Sequence, residues 1–307
     1  MAYDFNETSF TETDTPKDCL LIYSCLGCHS ATDDATWQDA ITKAPIVFNT
    51  SAPTYGANGL AGGNFYYVSG TVDDTGHNVL SNTDGTLTAP PGDENTTGIT
   101  TVLTCAGTKG CHGDRAISGS LAAIKSAHHA NAGEQLTTAS TVANSYRFLK
   151  GVQGYEDSDW QATTSVGAIP DHNEYKAGTL GGTESGIATP AGASISGLCG
   201  ECHGNFHGSA DTQASSPFLR HPVDLVIPAS GEYASMSTTY NLTVPVGRTT
   251  VPDAPSAAVA AGTDAVICLS CHRAHASPNS KMMRWDYKSA TVSTAISGCN
   301  VCHTSKN

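Results

Sequence analysis

The sequence predicts a chain of mostly irregular backbone, with a few short α-helices and minor β-strands, folded around bulk that its own side chains do not supply. Three observations predict it. Only 39% of the 307 residues are hydrophobic and 7% are aromatic, too few to fill a generous core. Only 14% are charged, too sparse for a disordered chain. The 31 glycines, with abundant threonine, serine and alanine, leave little room for long regular elements. The formal net charge of −13 excludes the basic surface that nucleic acid requires. No apolar run approaches the roughly 18 residues of a membrane span.

Taken in order, the N-terminal region (1-100) contains short strand-like pieces such as Phe65 to Val68, and Pro90-Pro91-Gly92 marks its end. In the middle region (101-190) the spacing predicts a helix from Asp114 to Ala130, with Ile117, Leu121, Ile124 and His128 on one stripe. A second helix is expected from about Ala139 to Lys150, with Val142, Tyr146 and Leu149 on one face and Gly151 closing it. In the C-terminal region (191-307), alternation from Thr238 to Val251 suits strands. Segments rich in Thr, Ser, Gly and Pro join these pieces, so under a quarter of the chain should be helical. The three regions are expected to form one continuous elongated domain.

Cysteine carries the chemistry. Four Cys-x-x-Cys pairs are each followed at once by histidine: Cys25/Cys28/His29, Cys199/Cys202/His203, Cys268/Cys271/His272 and Cys299/Cys302/His303. Chance would give roughly 0.015 such pentapeptides at this composition. The spacing is that of c-type haem attachment, in which two thiols form thioethers with the vinyl groups of one haem and the next histidine ligates its iron. Zinc ribbons also use Cys-x-x-Cys but have no need of a histidine directly after it. Cys105-Ala-Gly-Thr-Lys-Gly-Cys111-His112 reads as a fifth site with five residues between its thiols, its two glycines letting the loop fold back. The alternative is a disulfide between Cys105 and Cys111, or from one of them to Cys19. Five haems c are thus expected, four of them from the regular motif.

Seven histidines remain: His77, His128, His129, His172, His207, His221 and His275. Five irons need five distal ligands, so the supply allows bis-histidine coordination throughout, with two to spare. Methionine is a poor substitute, since only four are present. His128 is favoured over His129 by the helical stripe, while His207 and His275 follow their motifs closely enough to serve a neighbouring haem. Irons closed by two protein ligands have no position for substrate, which points to electron transfer and away from an enzyme.

Several strings resemble a known group. They are Ala61-Gly-Gly-Asn-Phe with Gly76-His77-Asn-Val, the Cys105 to His112 loop, Ser145-Tyr-Arg-Phe-Leu with Asp157-Ser-Asp-Trp160, His172-Asn-Glu-Tyr, Leu219-Arg-His221-Pro, and Cys268-Leu-Ser-Cys271-His272-Arg-Ala-His275 running to Arg284-Trp-Asp-Tyr287. Together the chain resembles the extracellular multihaem cytochromes that polymerise into conductive filaments, particularly the OmcE type. The best-known members carry four haems, against five candidate sites here. The resemblance implies a multihaem cytochrome c, backbone wrapped around a haem chain, acting as the subunit of a head-to-tail homopolymer, with a distal histidine as a candidate for donation by the next subunit. His77, His128 and His129 are the candidates. Other redox cytochromes or extracellular electron acceptors would be its partners.

Two alternatives stay open: a monomeric electron shuttle, periplasmic or at the cell surface, and an oxidoreductase with one open haem. The latter needs scarce histidines or a lysine-bearing motif, and neither is present. Residues 1–20 are polar and acidic, unlike a signal peptide, while thioether attachment occurs outside the cytoplasm. The chain is therefore read as a mature, exported, extracellular form. Asn-x-Ser/Thr sequences at Asn6, Asn49, Asn95 and Asn241 are no more than chance gives in so Thr-rich a chain.

Overall fold

The computed structural model describes residues 25–54, 59–68, 74–79, 90–91, 103–125, 127–128, 133–161, 165–166, 169–178, 191–207 and 221–304. Cys19 and His129 lie outside them. The helices are single turns: α1 (Leu26–His29), α2 (Ser120–Ala123), α3 (Ile195–Gly200), α4 (Gly204–His207), α5 (Cys268–Cys271) and α6 (Val292–Ala295). The strands are equally short. They comprise β1 (Ser30–Ala31), β2 (Phe48–Asn49), β3 (Gln135–Leu136), β4 (Gly154–Tyr155), β5 (Ser165–Val166), β6 (Ile169–Pro170), β7 (Glu174–Lys176), β8 (Leu225–Val226), β9 (Gly247–Arg248) and β10 (Asp264–Val266). Helices this short do not stand alone in water and need tertiary or covalent anchoring. Three of them, α1, α3 and α5, contain cysteines of the attachment motifs.

Six strands form one sheet in the order β3-β4-β7-β9-β10-β8, antiparallel except where β7 meets β9. Its centre is held by charge as well as apolar contact. Arg248 on β9 makes two bonds to the fully buried Glu174 on β7, at 2.7 and 2.9 Å, and a further one to Asp264 on β10. Tyr175, Ala265 and Ile267 are buried on this sheet against Leu198 of α3 and Leu269 of α5, so two attachment helices lean on the main core. A second cluster of Ile227, Met236, Tyr240, Val246 and Val259 packs against Cys302.

Four expected elements differ from what their sequence pattern suggests. Among the described residues the helix from Asp114 to Ala130 is reduced to α2, because Gly113 and Gly119 take positive φ (74° and 90°). Ile117 and Leu121 are accordingly 40% and 42% exposed, while Ala123 and Ile124 are buried. The helix from Ala139 to Lys150 is a loop with one 3-10 turn at Tyr146–Phe148, since Ala139, Arg147 and Phe148 all adopt left-handed backbone. Ser145 Oγ donates to the carbonyls of Ala139 and Thr141, which holds that loop closed. Phe65–Tyr67 is a 3-10 turn rather than a strand, capped by Asn64, whose side chain accepts the Tyr66 N–H. Between Thr238 and Val251 only β9 is a strand, preceded by an isolated bridge from Thr239 to Ala258.

The N-terminal and C-terminal regions interlace. His275 N–H donates to Gly62 O at 2.7 Å, His77 N–H to His275 O at 3.0 Å, and Asn64 N–H to Ala276 O at 3.2 Å.

Candidate haem centres

Each regular motif forms one helical turn in which the histidine N–H donates to the carbonyl of the first cysteine. The distances are 3.1 Å for His29 to Cys25, 2.9 Å for His203 to Cys199, 3.0 Å for His272 to Cys268 and 2.9 Å for His303 to Cys299. The second cysteine is fixed by the same carbonyl at three of the sites. Cys28 N–H donates to Cys25 O, Cys202 N–H to Cys199 O and Cys302 N–H to Cys299 O, each at 3.2 Å.

The long-loop site closes the same way, with His112 N–H donating to Cys105 O at 3.0 Å across the extra residues. Gly107 makes this possible with φ +85°, and a Cβ at Gly110 would lie 2.5 Å from both Ala106 N and Thr104 O. Cys105 and Cys111 are not joined in a disulfide, nor is any other described cysteine. Among the described residues, no three cysteines and histidines converge within ligating reach of a single metal ion, which the ribbon arrangement would need. We number the sites I (Cys25/Cys28), II (Cys105/Cys111), III (Cys199/Cys202), IV (Cys268/Cys271) and V (Cys299/Cys302).

The motif treats the two thiols of a pair alike, and at site III the structure does not. Cys202 is exposed, while the neighbouring Cys268, and then burial, push the Cys199 thiol well above its ordinary range. At site I the difference is small, Cys25 and Cys28 both being half-buried. The asymmetry has a plain cause. Cys199 lies inside α3, which packs on the core, whereas Cys202 falls beyond the end of that helix.

Four of the five motif histidines lie beside a second histidine. The ring centres of His29 and His128 are 5.7 Å apart, those of His112 and His275 6.2 Å, those of His203 and His77 6.1 Å, and those of His303 and His221 6.1 Å. Two imidazoles sharing one metal at bonds of about 2.0–2.1 Å would have ring centres about 6.2–6.4 Å apart, close to three of these gaps, with the His29–His128 gap shorter.

The protonation pattern also fits. His29 Nδ1 donates to Pro45 O at 2.8 Å, His112 Nδ1 to Arg147 O at 2.8 Å, His203 Nδ1 to Pro91 O at 2.6 Å and His272 Nδ1 to Lys281 O at 2.8 Å. His303 Nδ1 lies 3.3 Å from Glu232 Oε1. On the opposing side, His77 Nδ1 donates to Ala274 O and His221 Nδ1 to Pro222 O, both at 2.8 Å. A carbonyl only accepts, so the proton sits on Nδ1 and the lone pair on Nε2, the tautomer a metal needs. Burial holds His77, His112 and His272 below the usual imidazole range and His275 down to about 3, so these rings are neutral.

The two surplus histidines have other partners. His172 is 1% exposed and stacks flat on Tyr240, with ring centres 3.8 Å apart, and each of its ring nitrogens faces a carbonyl, of Asn173 and of Ser256. His207, in α4, lies 2.9 Å through Nε2 from the buried Asp224 carboxylate, which also accepts the Ser194 hydroxyl. His272 faces no second histidine among the described residues.

Sequence reasoning does not find the residues that hold these rings. Gly62 is one: a Cβ there would lie 2.8 Å from His275 Nδ1, and Phe65 stacks on the same imidazole with ring centres 4.7 Å apart. Arg147 is another, its carbonyl fixing His112 while its guanidinium reaches Asn173 and covers the Trp160 ring. The run Ala61-Gly-Gly-Asn-Phe was the available signal for the first, since paired glycines mark a close approach.

The fold is that of a multihaem c-type cytochrome: irregular backbone, few short helices and minor strands around repeated haem-attachment turns. Residues 257–307 match the doubled CXXCH motif model. Across 99% of this chain and 96% of the other, the structure resembles the outer membrane cytochrome S filament from Geobacter sulfurreducens, at 17% identity and a TM-score of 0.50. The OmcS nanowires of the same organism also align, over 92% of this chain and 89% of that one, at 19% identity and a TM-score of 0.48. No curated protein sequence matches the chain.

Proposed function

We propose that the chain carries electrons along a series of bis-histidine c-type haems and is the subunit of an extracellular, head-to-tail filament. The observation that carries this reading is the set of four histidine pairs, three of them spaced as two imidazoles on one iron would be. Haem c supplies a reversible one-electron couple at its iron when bound. The protein's own residues do the rest. Paired cysteines fix each ring, carbonyls hold the imidazoles in the ligating tautomer, and two histidines per iron leave no position for substrate. That last point favours a conduit over an enzyme.

The thioether roles of Cys28 and Cys202 belong to this proposal. Motif spacing and the shared one-turn geometry support them.

Site IV supports the polymer. His77 and His128 pair with His203 and His29, and His172 and His207 are engaged elsewhere, so elimination over the twelve histidines leaves His129 for His272. In sequence His129 adjoins His128, which faces site I, whereas His272 lies in the field of His203 and His77 at site III. The next subunit's His129 is therefore the better donor. A contact of this heterologous kind, unclosed, gives a filament. The −13 charge opposes assembly, and salt should assist it.

The test is to image haem-loaded protein over a range of concentration and salt, beside His129→Ala. Filaments in the first and monomers in the second are expected. A monodisperse monomer under every condition would replace the filament with the monomeric shuttle.

A further inference from the structure

Among the described residues two arginines are buried, Arg115 and Arg284, and only the first has a carboxylate. Arg115 grips both carboxylate oxygens of Glu201 at 2.8 and 2.9 Å. The guanidinium of Arg284 meets neutral groups instead. Its Nε donates to the carbonyls of Leu269 and His272 at 2.6 and 3.1 Å, and its other nitrogens to Leu242 O at 3.1 Å and Ala61 O at 3.3 Å. The Tyr175 side chain is its remaining partner. A guanidinium keeps its proton in a protein, so Arg284 places an unbalanced positive charge inside the fold.

That charge lies at site IV. Arg284 N–H donates to Cys271 O at 2.8 Å, and His272 forms a β-bridge with Met283, so backbone and side chain both bind Arg284 to the motif. Cys271 and His272 both feel it. Burial is the larger influence on each, and Arg284 opposes it at the thiol and adds to it at the imidazole.

Site V has the opposite surroundings. The 3-10 turn Gly231–Ser235 brings Glu232 Oε1 to 3.3 Å from His303 Nδ1. Thr304, the residue after His303, fastens that turn: its hydroxyl donates to Glu232 O at 3.0 Å and lies 2.9 Å from Ser235 Oγ. The Tyr233 ring lies against His303, with ring centres 5.4 Å apart. At sites I to IV the same ring nitrogen meets a neutral carbonyl.

Reduction adds one electron to a haem and removes one positive charge from it. A fixed positive charge beside the ligating histidine therefore favours the ferrous iron. A carboxylate at Nδ1–H makes the imidazole more basic and favours the ferric iron. We propose that Arg284 and Glu232 set opposite reduction potentials on the two haems of the C-terminal doubled motif. Arg284 raises the haem at Cys268/Cys271, and Glu232 lowers the haem at Cys299/Cys302. An electron shared between the two rests at site IV. Both are positioning residues that act through His272 and His303. The proposal rests on the reading of these two motifs as haem sites and needs neither site II nor the polymer.

The experiment is a potentiometric titration of the haem-loaded protein followed by electron paramagnetic resonance, with haemopeptide mass spectrometry on each variant. In Arg284→Gln one component should fall, its one-electron equilibrium constant changing about tenfold, or about 59 mV. In Glu232→Gln a different component should rise by a similar factor, and in the parent it should lie below the first. Arg284→Lys keeps the charge and loses the planar fork, so its potentials should stay with those of the parent, whereas a merely structural role would make them follow Arg284→Gln. No shift in either glutamine variant, or the reverse order in the parent, would overturn the proposal and leave the conduit intact. Should Arg284→Gln not fold, the other two variants decide: a fall in Arg284→Lys or no rise in Glu232→Gln would overturn it. A parent without haem at Cys268/Cys271 or Cys299/Cys302 would overturn the conduit and the proposal together.

Discussion

Replacing Gly62 by alanine should open the iron at site II without replacing any ligand. The added Cβ would lie 2.8 Å from Nδ1, 3.0 Å from Cε1 and 3.2 Å from Cγ of His275. Ordinary contact begins near 3.5 Å, so the imidazole must retreat by roughly 0.5–0.7 Å. Ligand distances in a metal site hold to about 0.2 Å, so that retreat is more than the iron–nitrogen bond can absorb. Phe65, stacked on the same ring, blocks an easy sideways escape. Overpacking of this kind costs about 1–3 kcal/mol, which corresponds to a roughly 5- to 150-fold rise in the fraction of site II without its distal ligand. The assay is carbon monoxide uptake by the reduced filament, read in the Soret band, with Gly62→Val as the stronger form. One haem per chain should bind in the valine variant, and a smaller fraction in the alanine variant. Both variants folded, low-spin and as inert as the parent would refute His275 as the distal ligand.

The surplus histidines give a contrast. His77→Ala, His128→Ala, His221→Ala and His275→Ala should each create one high-spin haem in the reduced spectrum, whereas His172→Phe and His207→Asn should create none. A new high-spin signal in His207→Asn would reverse its assignment. The Arg115–Glu201 pair should show strong coupling in a double-mutant cycle. Removing either partner alone leaves a buried charge and costs about 3–5 kcal/mol, so the double variant should be much less destabilised than the sum of the singles. Additive effects in denaturant unfolding of the haem-loaded chain would show the pair to be incidental.

How much of this was legible in the sequence follows from the chemistry. Thioether attachment needs two cysteines and a histidine contiguous in the chain, so the four regular sites could be read directly. The proposed fifth site has its sequence signal in its glycines and in the histidine after Cys111. Distal pairing was not, because each partner comes from a remote segment: His275 follows the site IV motif yet faces His112 at site II. Nor did spacing separate His207 from His275, although the first is drawn to a carboxylate, Asp224, whose approach only the fold creates. The unequal burial of Cys199 and Cys202 was equally hidden, since it depends on where α3 ends against the core. The two overestimated helices failed for different reasons. Glycines at 113 and 119 warned against the first, but the left-handed backbone at Ala139, Arg147 and Phe148 has no glycine to announce it. There the ion and hydrogen bonds of Glu156, Asn173 and Ser145 override helical periodicity.

The central claim is that histidine pairs close every iron and that one pair is completed between subunits. Carbon monoxide titration of the reduced wild-type protein, as filament and after dissociation to monomer, tests it most directly. No binding is expected in the filament, and one molecule per chain in the monomer, at the haem ligated by His272. Stoichiometric binding in the intact filament, or none in the dissociated monomer, would contradict it.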